Sequence, residues 1–310
     1  MADPKAGKRQ RRGREGLSRR EFLAGAVIGA GAVSLFSCAQ GQFMVPAPES
    51  AAAEETPCPE AKTEIKEVVK EVPQEVPEWP WPYVKLDPEM IRKKGHLGYY
   101  KAHCCYGAFW AIIDSLREEI GFPYTQIPAE MMIYGAGGVA GWGTLCGALN
   151  GAFAAINLVT DEKTCKKIVH ELMGWYTETP LPTEISNQYA VEHAFLVEEY
   201  KSDEALAQSV AGSPLCHVSV TKWCQASGYA SGSPERSERC GRLTGDVAAR
   251  AVELLNQYID NAFEPTFELP AGTTACRACH FKGKDYDQGQ FTRGKMDCLQ
   301  CHEPHGSHGE

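Results

Sequence analysis

The chain has 310 residues and a formal charge of −9, from 31 Lys plus Arg against 40 Asp plus Glu. Residues 1–38 hold eight of the basic residues and three of the acidic ones, so the remainder has 23 basic and 37 acidic residues and carries −14. An acidic body argues against nucleic-acid binding and against electrostatic adhesion to anionic lipid, and it suits docking onto a basic partner.

The N-terminus reads as a targeting segment. Lys8 to Arg20 is basic, and Ser18-Arg19-Arg20-Glu21-Phe22-Leu23 resembles a twin-arginine export signal. The apolar stretch from Leu23 to Phe36 falls short of the roughly 20 residues that span a bilayer. Leu35-Phe36-Ser37-Cys38 resembles a lipobox and predicts lipidation at Cys38; ordinary cleavage near Ala39 is the plainer alternative. The expected location is the periplasm or the outer face of the membrane, with a possible lipid anchor. The twin-arginine route carries folded proteins, which points to a cofactor inserted before export.

Residues 39–86 read as a tether rich in Ala, Glu and Pro. Such a segment buries too little apolar surface to offset its ordering entropy, and its prolines keep it extended. Cys58 stands alone in it. Trp79-Pro80-Trp81-Pro82-Tyr83 marks the point where the chain first docks on the folded body.

Residues 87–265 read as a mainly α, cysteine-rich body. Lys101 to Ile120 has helical periodicity and is ended by Gly121 and Pro123. Met131 to Val159 has no charged residue, but its glycines, Asn150 and Asn157 exclude a membrane span. It reads as a buried glycine-rich loop leading into a buried helix. Thr160-Asp161 caps a helix running to about Tyr176. Val191 to Val210 reads as helix too. Glu238-Arg239-Cys240 opens a long helix with Val247, Ala251, Leu254, Leu255, Tyr258 and Ile259 on one face. Almost nothing reads as strand.

Residues 266–310 read as a loop-rich segment carrying Cys276-Arg-Ala-Cys279-His280 and Cys298-Leu-Gln-Cys301-His302. Cys-x-x-Cys-His is the attachment pattern for a c-type haem. The two thiols reach the two vinyl groups, and the adjacent His becomes the proximal iron ligand. At this composition chance gives roughly 0.02 matches, so two matches predict two haems c. A zinc ribbon is the competing pattern, and it does not explain the two histidines.

The body keeps Cys104, Cys105, Cys146, Cys165, Cys216, Cys224 and Cys240. Seven is odd, so disulfides alone leave one thiol over. Cys104-Cys105 and Cys240 at helix starts, and Cys146 beside glycines, are positions where backbone N–H groups favour thiolates. Four such thiolates suit an iron–sulfur cluster or tetrahedral zinc. The spacings leave that choice open.

Cys105, then Cys146-Gly147-Ala148-Leu149-Asn150-Gly151, then Cys216 and Cys240 resemble the C-GCAxxG-C-C redox family. With the two haem motifs behind it, the chain resembles the split-Soret cytochrome c family over roughly residues 88–310. One departure is that the second motif reads Leu145-Cys146-Gly147-Ala148. The resemblance implies a homodimer, with two haems c per subunit that stack and split the Soret band. It also implies histidine on both faces of each iron, and an iron–sulfur cluster on Cys105, Cys146, Cys216 and Cys240, with Cys104, Cys224 and Cys165 as alternates.

His280 and His302 are then the proximal ligands. Distal candidates are His96, His103 and His305, ahead of His170, His193, His217 and His308. The expected function is electron transfer between redox proteins, because two histidines on one iron leave no site for substrate. The alternatives are a haem or iron–sulfur oxidoreductase with an open iron position, and a zinc-holding lipoprotein.

Overall fold

The computed structural model describes residues 75–195, 200–281 and 283–303. The export signal, Cys38, Cys58, most of the tether, His305 and His308 lie outside the described residues.

Helix α1 (Pro88–Ile120) starts where Asp87 accepts hydrogen bonds from the Glu89 and Met90 amides, with Pro88 at the first position. It is broken in the middle. Ala102 (φ −156°) and His103 (φ 68°, ψ −173°) leave helical space, and the limbs 88–101 and 104–120 double back on each other. Lys94 thereby reaches Asp114 at 2.7 Å and Glu118 at 2.9 Å. Gly98 and Gly107 allow the crossing, because a Cβ on Gly98 would lie 2.7 Å from the Gly107 Cα. His103 sits at the apex and Cys104 opens the second limb.

A 3₁₀ turn (Ala129–Gly135) and a glycine-rich turn at 136–145 lead to α2 (Gly147–Val159). Asp161 caps α3 (Glu162–Glu178) as expected. Then come α4 (Glu184–Val191), α5 (Cys216–Ser227), α6 (Pro234–Ile259) and α7 (Ala271–His280). Helix α6 begins before Glu238, at Pro234, with Ser233 as its cap. Its expected face is buried at Val247, Ala251, Leu254 and Leu255, but Ile259 is 41% exposed because the helix outruns the core.

The core lies between the α1 hairpin, α2, α3 and α6. Ile91, Phe109, Ile112, Leu116, Leu149, Ile156, Leu172, Val252 and Leu255 are fully buried there, each contributing about 2 kcal/mol by transfer from water. Among the described residues, strand pairing is limited to two isolated bridges, Leu145–Leu215 and Leu181–Ser209. No described helix is long and apolar enough to cross a membrane.

The helix expected over Val191 to Val210 does not form among the described residues of that stretch. α4 ends at Val191, and the following carbonyls are taken by tertiary partners rather than by the next helical turn. Arg242 binds the Ser202 and Glu204 carbonyls at 2.7 Å each. The Asn187 amide donates to the Leu206 carbonyl at 2.8 Å, and Ser209 pairs with Leu181.

Two junctions position the ends of the body. The Trp81 amide donates to the Leu158 carbonyl at 2.8 Å, and the Tyr83 hydroxyl to Asn256 at 2.9 Å, so the tryptophan–proline run docks. At the other end the Glu171 carboxylate accepts from the Thr266 amide and hydroxyl and from the Phe267 amide, at 2.7–2.9 Å. The Phe267 ring lies on Gly174, where a Cβ would come within 2.0 Å of it.

Candidate cysteine centre and haem-attachment segment

The Leu145–Leu215 bridge brings two remote cysteines together. The Cys146 amide donates to the Pro214 carbonyl at 2.9 Å, and the Cys216 amide to the Thr144 carbonyl at 2.7 Å. Cys146 is the N-cap of α2 and Cys216 the first residue of α5, so both sulfurs start helices, where N–H groups are unpaired. Cys104 does the same on the second limb of α1. Cys240 enters from α6, well inside the helix rather than at its start.

These four sulfurs feel one another. Burial pushes the Cys104 thiol up, and Cys146, Cys240 and Cys216 add to it. Cys146 is pushed up by burial and by Cys240, and Cys216 is pushed up to about 12 by burial, Cys146 and Cys240. Cys105 is fully buried and pushed up to about 12 by burial, with Cys146 adding to it. One residue along a helix turns the side chain by about 100°, so Cys105 faces Gly135 while Cys104 faces the other three. Cys165 neighbours Thr160 and Asp161 instead. Cys224 is two turns along α5 from Cys216, about 12 Å of rise.

Glycines clear the space. A Cβ on Gly147 would lie 2.4 Å from Cys104 Sγ, on Gly135 2.3 Å from Cys105 Sγ, and on Gly138 2.8 Å from the Cys216 Cβ. The backbone at Gly137, Gly135 and Ala148 works against the upward shift of Cys104, Cys105 and Cys146 respectively. Among the described residues no three His, Cys, Asp or Glu side chains close tightly enough to clasp a metal as they stand. The donor set nevertheless fits a thiolate-held iron centre: four sulfurs from four segments, space cleared by glycine, and two of the cysteines at helix starts. Arg239 and Tyr176 border it through Ser219. Sequence reasoning did not single out either residue, although Arg239 adjoins Cys240.

The histidines divide by surroundings. His96 is 2% exposed, and its Nε2 lies 2.9 Å from Glu238 Oε1, off line for a hydrogen bond. Glu238 in turn binds Arg242 and Tyr100. His96 is thus engaged inside the body. His103 is exposed at the α1 apex, edge-on to Tyr99 at 5.8 Å. His193 stacks on Tyr200 at 4.7 Å, and the His217 amide donates to the Gly143 carbonyl.

In the C-terminal segment α7 carries Cys276, Cys279 and His280. Asp297 caps the turn Cys298–Gln300. The Cys298 thiol, which donates to the Met296 carbonyl at 3.8 Å, is raised by slight burial and by the neighbouring Cys276, so the first cysteines of the two motifs lie near each other. His280 Nδ1 lies 2.7 Å from the Gly289 carbonyl. A carbonyl only accepts, so Nδ1 carries the proton and Nε2 carries the lone pair a metal needs. Gly289 has φ 74°, and a Cβ there would sit 3.0 Å from the His280 ring. Cys279, Cys301 and His302 are exposed. A cavity of about 430 Å³ opens between α3 and this segment, lined by Val169, Met173, Phe267, Leu269 and Met296, with His170, Lys166 and Lys295. Burial and Lys295 depress the His170 pKa. The segment fits haem c: paired thiols within reach of solvent, an oriented imidazole and an adjacent apolar wall.

Three comparisons bear on this arrangement. Residues 103–254 match the family described as "Putative redox-active protein (C_GCAxxG_C_C)". The chain is 40% identical over 227 residues to a split-Soret cytochrome c of Desulfovibrio desulfuricans, covering 72% of this chain and 77% of that protein. It also resembles a solved structure described as a novel iron centre in the split-Soret cytochrome c from that organism. The TM-score is 0.65 at 38% identity, covering 72% of this chain and 90% of the other.

Proposed function

This chain belongs to the split-Soret cytochrome c family, and on that premise we propose that it is an exported electron-transfer protein with two haems c and a separate iron centre held by cysteines. Cys276 and Cys279 anchor one haem and Cys298 and Cys301 the other, with His280 and His302 as proximal ligands. The observation that carries the reading is the close approach of the two Cys-x-x-Cys-His motifs, joined where the Thr273 hydroxyl donates to Asp297 at 3.5 Å, beside an oriented His280. Anchors this close would suit electron exchange between the two groups they would hold. When bound, the haems supply one-electron chemistry. The chain's part is to anchor them by two thioethers each, to fix the imidazole tautomer, and to present an apolar wall.

The body's share is the second centre, with Cys104, Cys146, Cys216 and Cys240 as first-choice ligands and Cys105 as the reserve for Cys104. An iron–sulfur cluster is the form this donor set suits best. The twin-arginine-like run, the lipobox-like Cys38 and the acidic tether support a periplasmic location, tethered by lipid. The family resemblance supports a homodimer, and the acidic surface a basic redox partner. The matured protein should show a sharp low-spin α band and a divided Soret peak on reduction. A single Soret peak with high-spin features would favour an oxidoreductase with an open iron position.

A further inference from the structure

We propose that Arg239 is the counter-charge of the cysteine-held iron centre, a positioning residue that keeps the centre's reduction potential up. The inference rests on the iron centre proposed above.

Among the described residues three arginines are buried: Arg92 (8% exposed), Arg242 (0%) and Arg239 (2%). Arg92 pairs with Glu89 at 2.9 Å and Asp246 at 2.6 Å. Arg242 pairs with Glu238 at 3.0 Å and also binds Asn187 and two backbone carbonyls. Arg239 has no carboxylate within ion-pair distance among the described residues. Its Nη2 donates to Ser219 Oγ at 2.8 Å, its Nη1 reaches Cys240 Sγ at 4.0 Å, and its Nε is buried with no hydrogen-bond partner there.

A guanidinium cannot lose its proton to escape burial, and a buried charge without a partner is strongly unfavourable. An anion must therefore stand beside Arg239 in the mature protein. Its electrostatic neighbours are Cys240, Tyr176 and Cys146. Two of these are sulfurs of the proposed centre, and the third is a neutral phenol. The Tyr176 hydroxyl donates to Ser219 Oγ at 2.9 Å, so Ser219 is held from both sides and fixes the guanidinium against the sulfurs.

A purely structural role, joining α5 to α6 through Ser219, needs one hydrogen bond and no charge. The unsatisfied Nε and the missing carboxylate are what that role fails to explain. An anionic thiolate-held centre becomes more negative when reduced. A fixed positive charge close to its sulfurs favours the reduced state.

The test is a potentiometric titration of the non-haem iron in full-length, haem-loaded protein, comparing wild type with Arg239→Gln and Arg239→Lys. The haem potentials serve as internal reference. Arg239→Gln should shift the non-haem midpoint downward, changing the reduced-to-oxidised ratio at a fixed applied potential by about tenfold or more. Arg239→Lys should recover most of that shift, and the haems should not move. A Gln variant that keeps its iron and its midpoint overturns the proposal. If the Gln variant loses its iron, the Lys variant decides: iron kept by Lys alone supports a charge role, and iron lost from both overturns it. Wild-type protein without non-haem iron overturns the reading beneath the proposal, and the proposal with it.

Discussion

The helical body and the C-terminal segment hold their sulfurs in opposite ways. In the body Cys104, Cys105 and Cys146 are 8%, 0% and 6% exposed, inside a core of fully buried aliphatic residues. In the segment Cys279, Cys301 and His302 are exposed, and Thr273 is the one buried residue among the described positions of 271–303. Protein packing gathers the sulfurs of the first site, although among the described residues no three donors close on a metal as they stand. The second has almost no core of its own, so the apolar faces of the haems must serve as one, as metals and disulfides do in small domains.

That contrast can be broken most directly at the haem anchors. Replacing Cys276, Cys279, Cys298 and Cys301 together by Ala should leave 271–303 open to proteolysis while the body, 87–262, stays resistant. Limited proteolysis with mass spectrometry reads both, and a protected segment without haem would refute the contrast. Next in size is Gly151→Ala in the body. Its Cβ would lie 2.1 Å from the Cys105 carbonyl oxygen, and overpacking of this kind costs about 1–3 kcal/mol. A fall in the melting midpoint of roughly 2–12 °C should follow, and an unchanged midpoint would mean the cradle is soft.

A smaller change of opposite sign is expected at the α1 apex. His103 holds a φ/ψ pair open chiefly to glycine, at a cost of order 1–3 kcal/mol. His103→Gly should therefore raise the stability of the haem-free chain by about 1 kcal/mol, measured by denaturant unfolding. In the haem-loaded protein the same variant reports on ligation, because loss of the low-spin band would make His103 an axial ligand.

The smallest effect is at the hinge between the two regions. Burial disfavours the charged form of Glu171, but hydrogen bonds from Phe267 and Thr266 outweigh it and hold its pKa below the ordinary 4.5. A carboxylate depressed on folding stabilises above its unfolded pKa, and that contribution is lost as pH falls through the folded one. Exchange at the Thr266 and Phe267 amides should therefore speed up as pH drops below 4.5 relative to amides in α6, and equal slowing in both would contradict the anchoring role.

The haem motifs were legible in the sequence because their chemistry is local: two thiols and a histidine within five residues. The helix start at Asp161 was legible for the same reason, whereas the one at Asp87 was not read: the helix was expected only from Lys101. The fold of α1 was not legible, since Gly98 against Gly107 is a contact between two limbs, and the limb 88–101 before the expected helix from Lys101 went unread. The stretch after Val191 misled because its backbone is claimed by Arg242 and Asn187, both distant in sequence. The cysteine centre was half legible. Cys146, Cys216 and Cys240 stood out by motif order, but choosing between Cys104 and Cys105 needs the rotation of one helix. Arg239 carries no pattern, and it emerges only when the partners of buried charges are compared.

The central claim is that this chain holds iron in two places built on different principles. Total iron measured against covalently bound haem, on fully matured protein, tests it most directly. The account predicts two haems per chain and iron clearly in excess of haem, with the excess lost in a Cys146→Ala variant that keeps both haems. Iron equal to haem in the unaltered protein would contradict it.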